Sequence, residues 1–203
     1  MAEAFECKRE LVVEKPADQV WEWLSDLRHA MTANQFHMSI DCDDTEARHP
    51  RAGLEVPILH NVMGRQAYRI ARVTRAEDYV VSWGERLPDN AGYEDAFPHS
   101  EGWLVEPLGP SRCRIQNHLR GRFMFPVGQL IGQHVWDTVI PPILDNDLQD
   151  VAFAAGAIDR RIPVELPSIS AALLRLAHTR EIDGKPASEV LNIATRLSKD
   201  HAR

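Results

Sequence analysis

The sequence predicts a single α+β domain in which a curved antiparallel sheet wraps a long helix and encloses a pocket for a small apolar or aromatic molecule. Three observations support this fold class. A strand and two helices precede about six consecutive strands, and one long helix follows them. The strands are joined by connections of hairpin length, which makes the sheet antiparallel. The helix that begins near Val127 is the only element long enough to cover the apolar face of the sheet.

The strands are predicted from apolar runs bounded by turn signals. The first run covers residues 5 to 14, and after Pro16 apolar residues recur at helical spacing as far as Leu27. A short second helix is expected around Ala30 to Gln35. The six later runs cover residues 36–44, 53–62, 65–75, 78–87, 99–109 and 111–125.

Two features mark the second half of the chain. The loop of residues 88 to 98 is long for a compact domain and carries Tyr93 and Phe97, so we expect a lid over the pocket mouth. The long helix runs to about Arg161, and the pair Pro141-Pro142 should break it. We therefore divide the chain into a domain of residues 1–161 and a helical extension of residues 162–203.

Composition narrows the classes of function. The 203 residues carry a net charge of −7 without a basic block, which argues against nucleic acid as a partner. The three cysteines are far apart and fit reduced thiols, and no apolar run is long enough to span a bilayer, so a cytoplasmic protein without a membrane partner is expected. The chain has no GxGxxG, P-loop, GxSxG or HExxH motif, and no cofactor or metal is expected. A zinc site assembled across strands from His60, His99 and Glu101 stays open as a minor alternative.

Two stretches of the sequence resemble a known superfamily. The stretch VVEKPADQVWEWLSDL is similar to the opening strand, turn and helix of the START-like superfamily, also called SRPBCC or Bet v 1-like. The stretch GWLVEPLGPSRCRIQNHLRGRF is similar to the last hairpin of the same superfamily. The resemblance covers roughly residues 5 to 160 and implies a helix-grip fold with an internal pocket. Members of the superfamily include polyketide cyclases and aromatases, lipid-transfer proteins, hormone receptors and the catalytic domains of Rieske oxygenases.

Alternation along the strands identifies polar residues that point into the pocket, because every second side chain lies on the same face. Glu85 is in phase with Val81 and Trp83 and is expected in the interior with His99. The alternative is a place at the rim for these two residues, because they flank the loop. The phase of residues 65–75 is ambiguous, and we choose the face of Tyr68 and Ile70, which would also turn Arg72 inward. The other inward residues are expected to be His60, Glu101, Trp103 and Asn117, with His134 on the long helix.

These residues predict a cofactor-free enzyme that acts on an aromatic or polyketide-like compound by acid–base chemistry, as a cyclase, dehydratase or lyase. Glu85, His99 and Glu101 are the predicted catalytic residues, and burial should raise the pKa of one acid while the other stays ionised. The predicted substrate-binding residues are His60, Tyr68, Trp83, Tyr93, Trp103, Asn117 and His134. The alternative is a non-catalytic protein that binds or transports a hydrophobic small molecule.

The extension carries two apolar stripes at helical spacing. They comprise Leu173, Leu174, Leu176 and Ala177, and then Val190, Ile193, Ala194 and Leu197. Such stripes must be covered, either by the outer face of the domain or by a second copy of the chain. We favour a homodimer.

Overall fold

The structure is a computed structural model that describes residues 4–62, 65–91, 95, 97–124, 132, 136–165, 181–182 and 185–186. Its strands are β1 (Phe5–Val13), β2 (His37–Ile40), β3 (Glu55–Val62), β4 (Arg65–Glu77), β5 (Val80–Arg86), β6 (His99–Gly109), β7 (Arg112–Gly121), β8 (Glu181–Ile182) and β9 (Lys185–Pro186). Its helices are α1 (Ala17–Leu24), α2 (Leu27–Thr32), α3 (Asp44–Arg48) and α4 (Ile140–Ala154).

Seven strands form one curled antiparallel sheet in the order β1-β7-β6-β5-β4-β3-β2. Every neighbouring pair within it is antiparallel, which confirms the predicted sheet. Strands β1 and β2 form the two edges. The first strand of the chain therefore pairs with β7, the last of the long strands. Strands β8 and β9 form a separate hairpin.

The short helices begin where side chains satisfy free backbone amides. Asp26 accepts from the amide of Arg28 at the start of α2, and Asp43 accepts from the amides of Thr45 and Glu46 at the start of α3. The expected strand of residues 36–44 therefore ends early, because the cap at Asp43 starts a helix that the sequence analysis did not predict.

Helix α4 supplies the cover for the sheet and packs against β1 and β7. It begins at Ile140, so Pro141 and Pro142 occupy the first turn, where a missing N–H breaks no helical bond. A turn at Val139 separates α4 from the helical residues 136–138, which confirms the predicted break. The helix ends at Ala154, short of the expected Arg161, because Gly156 adopts a left-handed conformation with φ +64°.

The largest fully buried side chains come from both layers, and they include Trp83 and Trp103 on the sheet and Leu144 and Leu148 on α4. Among the described helices, none combines the length and the apolar character that a membrane span requires. The interior between α4 and the sheet also contains several polar and charged residues.

Candidate functional site

A buried carboxylate stands at the centre of the polar interior. Glu85 follows Val81 and Trp83 on the inner face of β5, where burial alternates residue by residue. Its side chain has no exposed surface. The indole Nε1 of Trp83 donates a hydrogen bond to Glu85 Oε1 at 2.9 Å, which fixes the orientation of the carboxylate.

Three imidazoles approach the same carboxylate. His37 Nε2 lies 3.3 Å from Glu85 Oε1, while His60 Nε2 and His99 Nε2 lie 2.8 Å and 3.2 Å from Oε2. Strand register explains the convergence, because His37 is opposite His60 across β2 and β3, and Glu85 is opposite His99 across β5 and β6. Four strands therefore contribute to one cluster.

Backbone carbonyls fix two of these rings. His37 Nδ1 donates to the carbonyl of Met31 at 2.6 Å, and His99 Nδ1 donates to the carbonyl of Phe97 at 3.0 Å. A carbonyl only accepts hydrogen bonds, so each Nδ1 carries a proton and each Nε2 faces Glu85. The orientation of both rings is thus set by the backbone.

Burial and the three imidazoles shift the pKa of Glu85 in opposite directions. Burial would raise the pKa of the carboxyl, but the close imidazoles of His37, His60 and His99 outweigh it and hold the pKa well below its usual range. Burial lowers the pKa of His60, whereas for His37 the attraction of Glu85 outweighs burial and raises the pKa. Glu85 is therefore ionised.

Arg69 connects the cluster to the loop of residues 87 to 98. Its Nε lies 3.5 Å from Glu85 Oε2, and its Nη2 forms an ion pair with Asp95 Oδ2 at 2.7 Å. Asp95 also accepts from the amides of Leu87 and Phe97. The described part of this loop is consequently tied to the sheet.

A second buried acid, Glu101, lies on the neighbouring strand β6. Asn34 Nδ2 donates to its Oε2 at 2.9 Å, and its Oε1 has no hydrogen-bond partner among the described residues. Burial raises the pKa of Glu101, and His37 opposes this rise only in part. The pKa of Glu101 is thus shifted in the direction opposite to that of Glu85.

Helix α4 presents a third buried acid to this interior. Asp147 has no exposed surface, and neither carboxyl oxygen has a hydrogen-bond partner in the described part of the chain. Burial raises its pKa well above the usual range, and the neighbouring Glu101 carboxyl adds to the rise. The Gln35 amide opposes the rise, although it is not aligned as a hydrogen bond.

Two further buried groups carry polar atoms that are unbonded within the described residues. They are both side-chain atoms of Asn117 on β7 and the indole Nε1 of Trp136. Buried polar groups normally have partners, so sets of unbonded ones indicate where water, an ion or a guest molecule binds. The interior can thus offer both donors and acceptors to a small molecule.

Aromatic rings cover the cluster at His99. The Phe97 ring stacks on His99 at 4.9 Å and on Phe123 at 4.6 Å, and Trp136 meets Phe97 edge-on. His99 also lines a surface groove of about 390 Å³. Its side chain is 9% exposed, which makes it the most accessible of the three histidines around Glu85.

The structure brings most of the predicted site residues together. Glu85, His99, His60 and Trp83 form the cluster, and Glu101 and Asn117 lie on the same inner face. Glu85 lies in the interior and not at the rim, because the curl of the sheet brings His37 and His60 over it. Trp103 is buried, but its indole donates to the carbonyl of Ala30 and so holds α2.

The predicted inward position of Tyr68 is wrong. Tyr68 is 61% exposed, and Arg72 is exposed as well, because the inner face of β4 carries Arg69, Ala71 and Val73. Arg69 can point inward since its guanidinium reaches Asp95. Tyr93 and His134 lie outside the described residues.

Sequence reasoning missed four residues of the site: Asn34, His37, Arg69 and Asp147. A signal existed for Asp147, which stands at helical spacing from Ile143, Leu144 and Val151 within the apolar stripe of α4. None existed for His37, because a register shift after it removes alternation from β2. Asn34 precedes any strand and gives no periodic signal.

Comparison with known proteins supports the fold. No protein-family model and no curated protein sequence matches the chain. Among solved structures, the Zhui aromatase/cyclase from Streptomyces sp. R1128 matches at a TM-score of 0.57 and 16% identity, over 76% of this chain and 94% of that one. A norcoclaurine synthase point mutant from Thalictrum flavum matches at a TM-score of 0.54 and 12% identity, over 76% and 96%. The chain therefore has the START-like, or Bet v 1-like, helix-grip fold that its sequence resembles.

Proposed function

We propose that this protein is an enzyme that acts on a small aromatic or polyketide-like compound by acid–base chemistry, in a cyclisation, dehydration or lyase-type elimination. The observation that carries the proposal is the placement of Glu101. Its carboxyl is buried, one oxygen is held by Asn34, and the other has no partner among the described residues. A buried, oriented acid whose pKa is raised by burial is suited to deliver a proton to a bound substrate.

The other predicted catalytic residues complete the set. Glu85 and His99 lie on the same inner face as Glu101 and directly opposite each other. An ionised acid and an acid of raised pKa on neighbouring strands can divide the roles of base and acid. Asn117 and His60 are proposed to orient the substrate, and the rings of Phe97 and Phe123 to contact its apolar part.

The fold neighbours support this class of reaction by analogy. They are an aromatase/cyclase and a norcoclaurine synthase. At 16% and 12% identity they share the fold with this chain, and the reaction proposed here depends on its own residues.

Turnover of a substrate panel tests the proposal. Linear and partly cyclised polyketide mimics and phenolic carbonyl compounds are incubated with the protein, and products are identified by mass spectrometry. We expect Glu101→Gln to lower kcat by about 10²–10⁴-fold, because Gln keeps the bond from Asn34 and cannot titrate. The matched control is Glu106→Gln on the same strand, where Glu106 pairs with Arg114 and is partly exposed.

Two results would contradict the enzyme. One is turnover within a few-fold of wild type in both Glu101→Gln and Glu85→Gln. The other is a compound that copurifies and is retained in native mass spectrometry but is converted by no variant, including the wild type. The second result would establish the alternative, a protein that binds a hydrophobic small molecule without changing it.

A further inference from the structure

We propose that His37, His60 and Glu85 bind a divalent first-row transition-metal ion through the two Nε2 atoms and the carboxylate. One donor atom from each residue lies within 4.8 Å of the other two. The side chains are 1%, 7% and 0% exposed, so the site is enclosed by the sheet. This inference gives Glu85 and His60 the role of ligands in place of the base and substrate-orienting roles proposed above, and it is tested apart from Glu101. It differs from the sequence-based expectation of a site without metal.

The distances between donor atoms match those around a metal ion. Nitrogen and oxygen ligands lie about 2.0–2.2 Å from zinc, which separates neighbouring ligands by about 2.8–3.6 Å in octahedral or tetrahedral sites. The observed separations are 2.8 Å from His60 Nε2 to Glu85 Oε2 and 3.3 Å from His37 Nε2 to Oε1. Because the two imidazoles approach different oxygens of the carboxylate, one ion would be held by both oxygens or after a rotation of the carboxylate.

The imidazoles lie at hydrogen-bond distance from the carboxylate, but these contacts are not well-aligned hydrogen bonds. Despite their proximity, His37 Nε2, His60 Nε2 and Glu85 Oε2 make no hydrogen bond of acceptable geometry with any described residue. His37 already uses Nδ1 to donate to Met31, so in its neutral form Nε2 presents a lone pair to an ionised carboxylate. Positive charge must lie between them, supplied either by protons on the rings or by a metal ion.

The surroundings have the features of an outer coordination shell. A histidine that binds a metal commonly donates its other nitrogen to a carbonyl, as His37 does to Met31, and a ligating carboxylate commonly accepts a further bond, as Glu85 does from Trp83. Arg69 brings a positive charge near Glu85, but its guanidinium is paired with Asp95. The negative charge of Glu85 thus remains available to the ion.

The donor set selects the class of metal. Two imidazoles and one carboxylate suit zinc, ferrous iron and their neighbours, whereas calcium and magnesium prefer oxygen ligands alone. Three protein ligands leave at least one coordination position free, as in catalytic sites. His99 lies 3.2 Å from Glu85 Oε2 and is assigned here as a partner of the carboxylate and not as a ligand.

Metal binding by tag-free, full-length protein tests the inference without any assay of turnover. The protein is treated with a chelator, dialysed, and titrated with Zn(II) by calorimetry and with Co(II) by visible spectroscopy. We expect one ion per chain with a dissociation constant below about 1 μM, and d–d bands of nitrogen and oxygen ligation for Co(II). His37→Gln and His60→Gln should each weaken Zn(II) binding by at least about 100-fold, since even outer-shell substitutions cost about 10–100-fold.

The controls separate a built site from adventitious binding. His118→Gln removes a half-exposed histidine that pairs with Glu6 on the outer face, and it should leave affinity unchanged. His99→Gln should lower the affinity for Zn(II) by less than about tenfold if His99 only supports Glu85. Circular dichroism checks that each variant folds, and if His37→Gln and His60→Gln both unfold, the Co(II) spectrum of the wild type decides.

Three outcomes would overturn the inference. In the first, the folded, metal-free wild type takes up no Zn(II) or Co(II). In the second, His118→Gln loses as much affinity for Zn(II) as His60→Gln. In the third, His99→Gln loses as much affinity for Zn(II) as His37→Gln. The first would mean that protons alone hold the cluster. The second would mean surface binding, and the third a different ligand set. None of these results bears on Glu101→Gln, so the proposed enzyme is tested separately.

Discussion

Glu85 and His99 lie directly opposite each other on β5 and β6, and His99 Nε2 is 3.2 Å from Glu85 Oε2. The same imidazole stacks on Phe97 and donates through Nδ1 to the Phe97 carbonyl. Phe97 therefore sets the position of His99 both through its ring and through its backbone. Arg69 also donates a hydrogen bond to the Phe97 carbonyl at 3.2 Å. Arg69 therefore links the charged cluster to the loop.

Three glycine-to-alanine substitutions should differ in how much unfolding free energy they cost, because the new methyl group contacts different atoms at each position. At Gly102 the Cβ would lie 2.8 Å from the Val81 carbonyl oxygen and 2.6 Å from Ser82 Cβ, and the strand backbone cannot move away. At Gly121 it would lie 2.6 Å from the far edge of the Phe97 ring, which can rotate. At Gly109 it would meet nothing within 4 Å. We expect losses in unfolding free energy of more than about 2, about 1–2, and within about 0.5 kcal/mol respectively.

Urea unfolding measures this series, and Gly109→Ala is the matched control. A Gly121→Ala variant as stable as Gly109→Ala would mean that Phe97 does not pack where the structure places it. Gly121→Ala should also shift the chemical shifts of the His99 ring, because the displaced Phe97 ring is stacked on it.

Removal of the Arg69 side chain should release the loop. In Arg69→Gln the ion pair with Asp95 is lost, and Asp95 then holds the amides of Leu87 and Phe97 less firmly. We expect hydrogen exchange at these two amides to rise about 10–100-fold. Arg75→Gln is the control, since Arg75 is exposed on the same strand and pairs with Glu77, away from the loop. Equal exchange in both variants would contradict the tether.

The same measurement tests the predicted lid. If residues 88–98 close over a bound compound, saturation with a ligand should slow exchange in this loop, and Arg69→Gln should weaken that protection. Exchange that is the same in ligand-free and saturated protein would exclude a lid.

The fold and much of the site could be predicted because alternation is regular on β5, β6 and β7. Glu85, Glu101 and Asn117 each fall in phase with buried apolar residues of their own strand, so one rule places all three inward. The break near Pro141-Pro142 could also be predicted, since a proline pair is incompatible with a helix interior. The expected start of the long helix near Val127 lies outside the described residues.

The rest depends on tertiary contacts that no local pattern contains. On β4, residues of both phases include apolar side chains, and the choice of Arg69 over Tyr68 is decided by Asp95, which lies 26 residues away. The burial of Glu85 depends on the curl that brings β2 and β3 over β5. His37 joins the cluster through a strand whose register shifts within three residues.

The homodimer stays a prediction, because the apolar stripes of the extension lie outside the described residues. A chain that ends at Arg161 should be a monomer by light scattering if those stripes form the dimer contact. The full chain should then have the mass of two full-length chains. A truncated chain that remains folded with the oligomeric state of the full chain would remove this role of the extension. Circular dichroism of the truncated chain serves as the control for folding.

Asp147→Asn should stabilise the protein at neutral pH. Asp147 is fully buried and has no hydrogen-bond partner among the described residues, and its pKa is raised well above the usual range by burial and by Glu101. A group whose pKa is higher in the folded state binds protons more tightly there, so its contribution to stability is complete below the pKa of the unfolded chain. That contribution is lost as the pH rises through the raised pKa, when a buried carboxylate would have to ionise.

The neutral amide of Asp147→Asn avoids this penalty. We expect a gain in unfolding free energy of about 1–3 kcal/mol at pH 7 that disappears near pH 4. Thermal melts of both proteins between pH 4 and pH 8 measure the difference, with Asp159→Asn, an exposed acid beyond the end of α4, as the control. A wild type and an Asp147→Asn variant whose melting temperatures differ by the same amount at every pH would show that Asp147 does not titrate across this range.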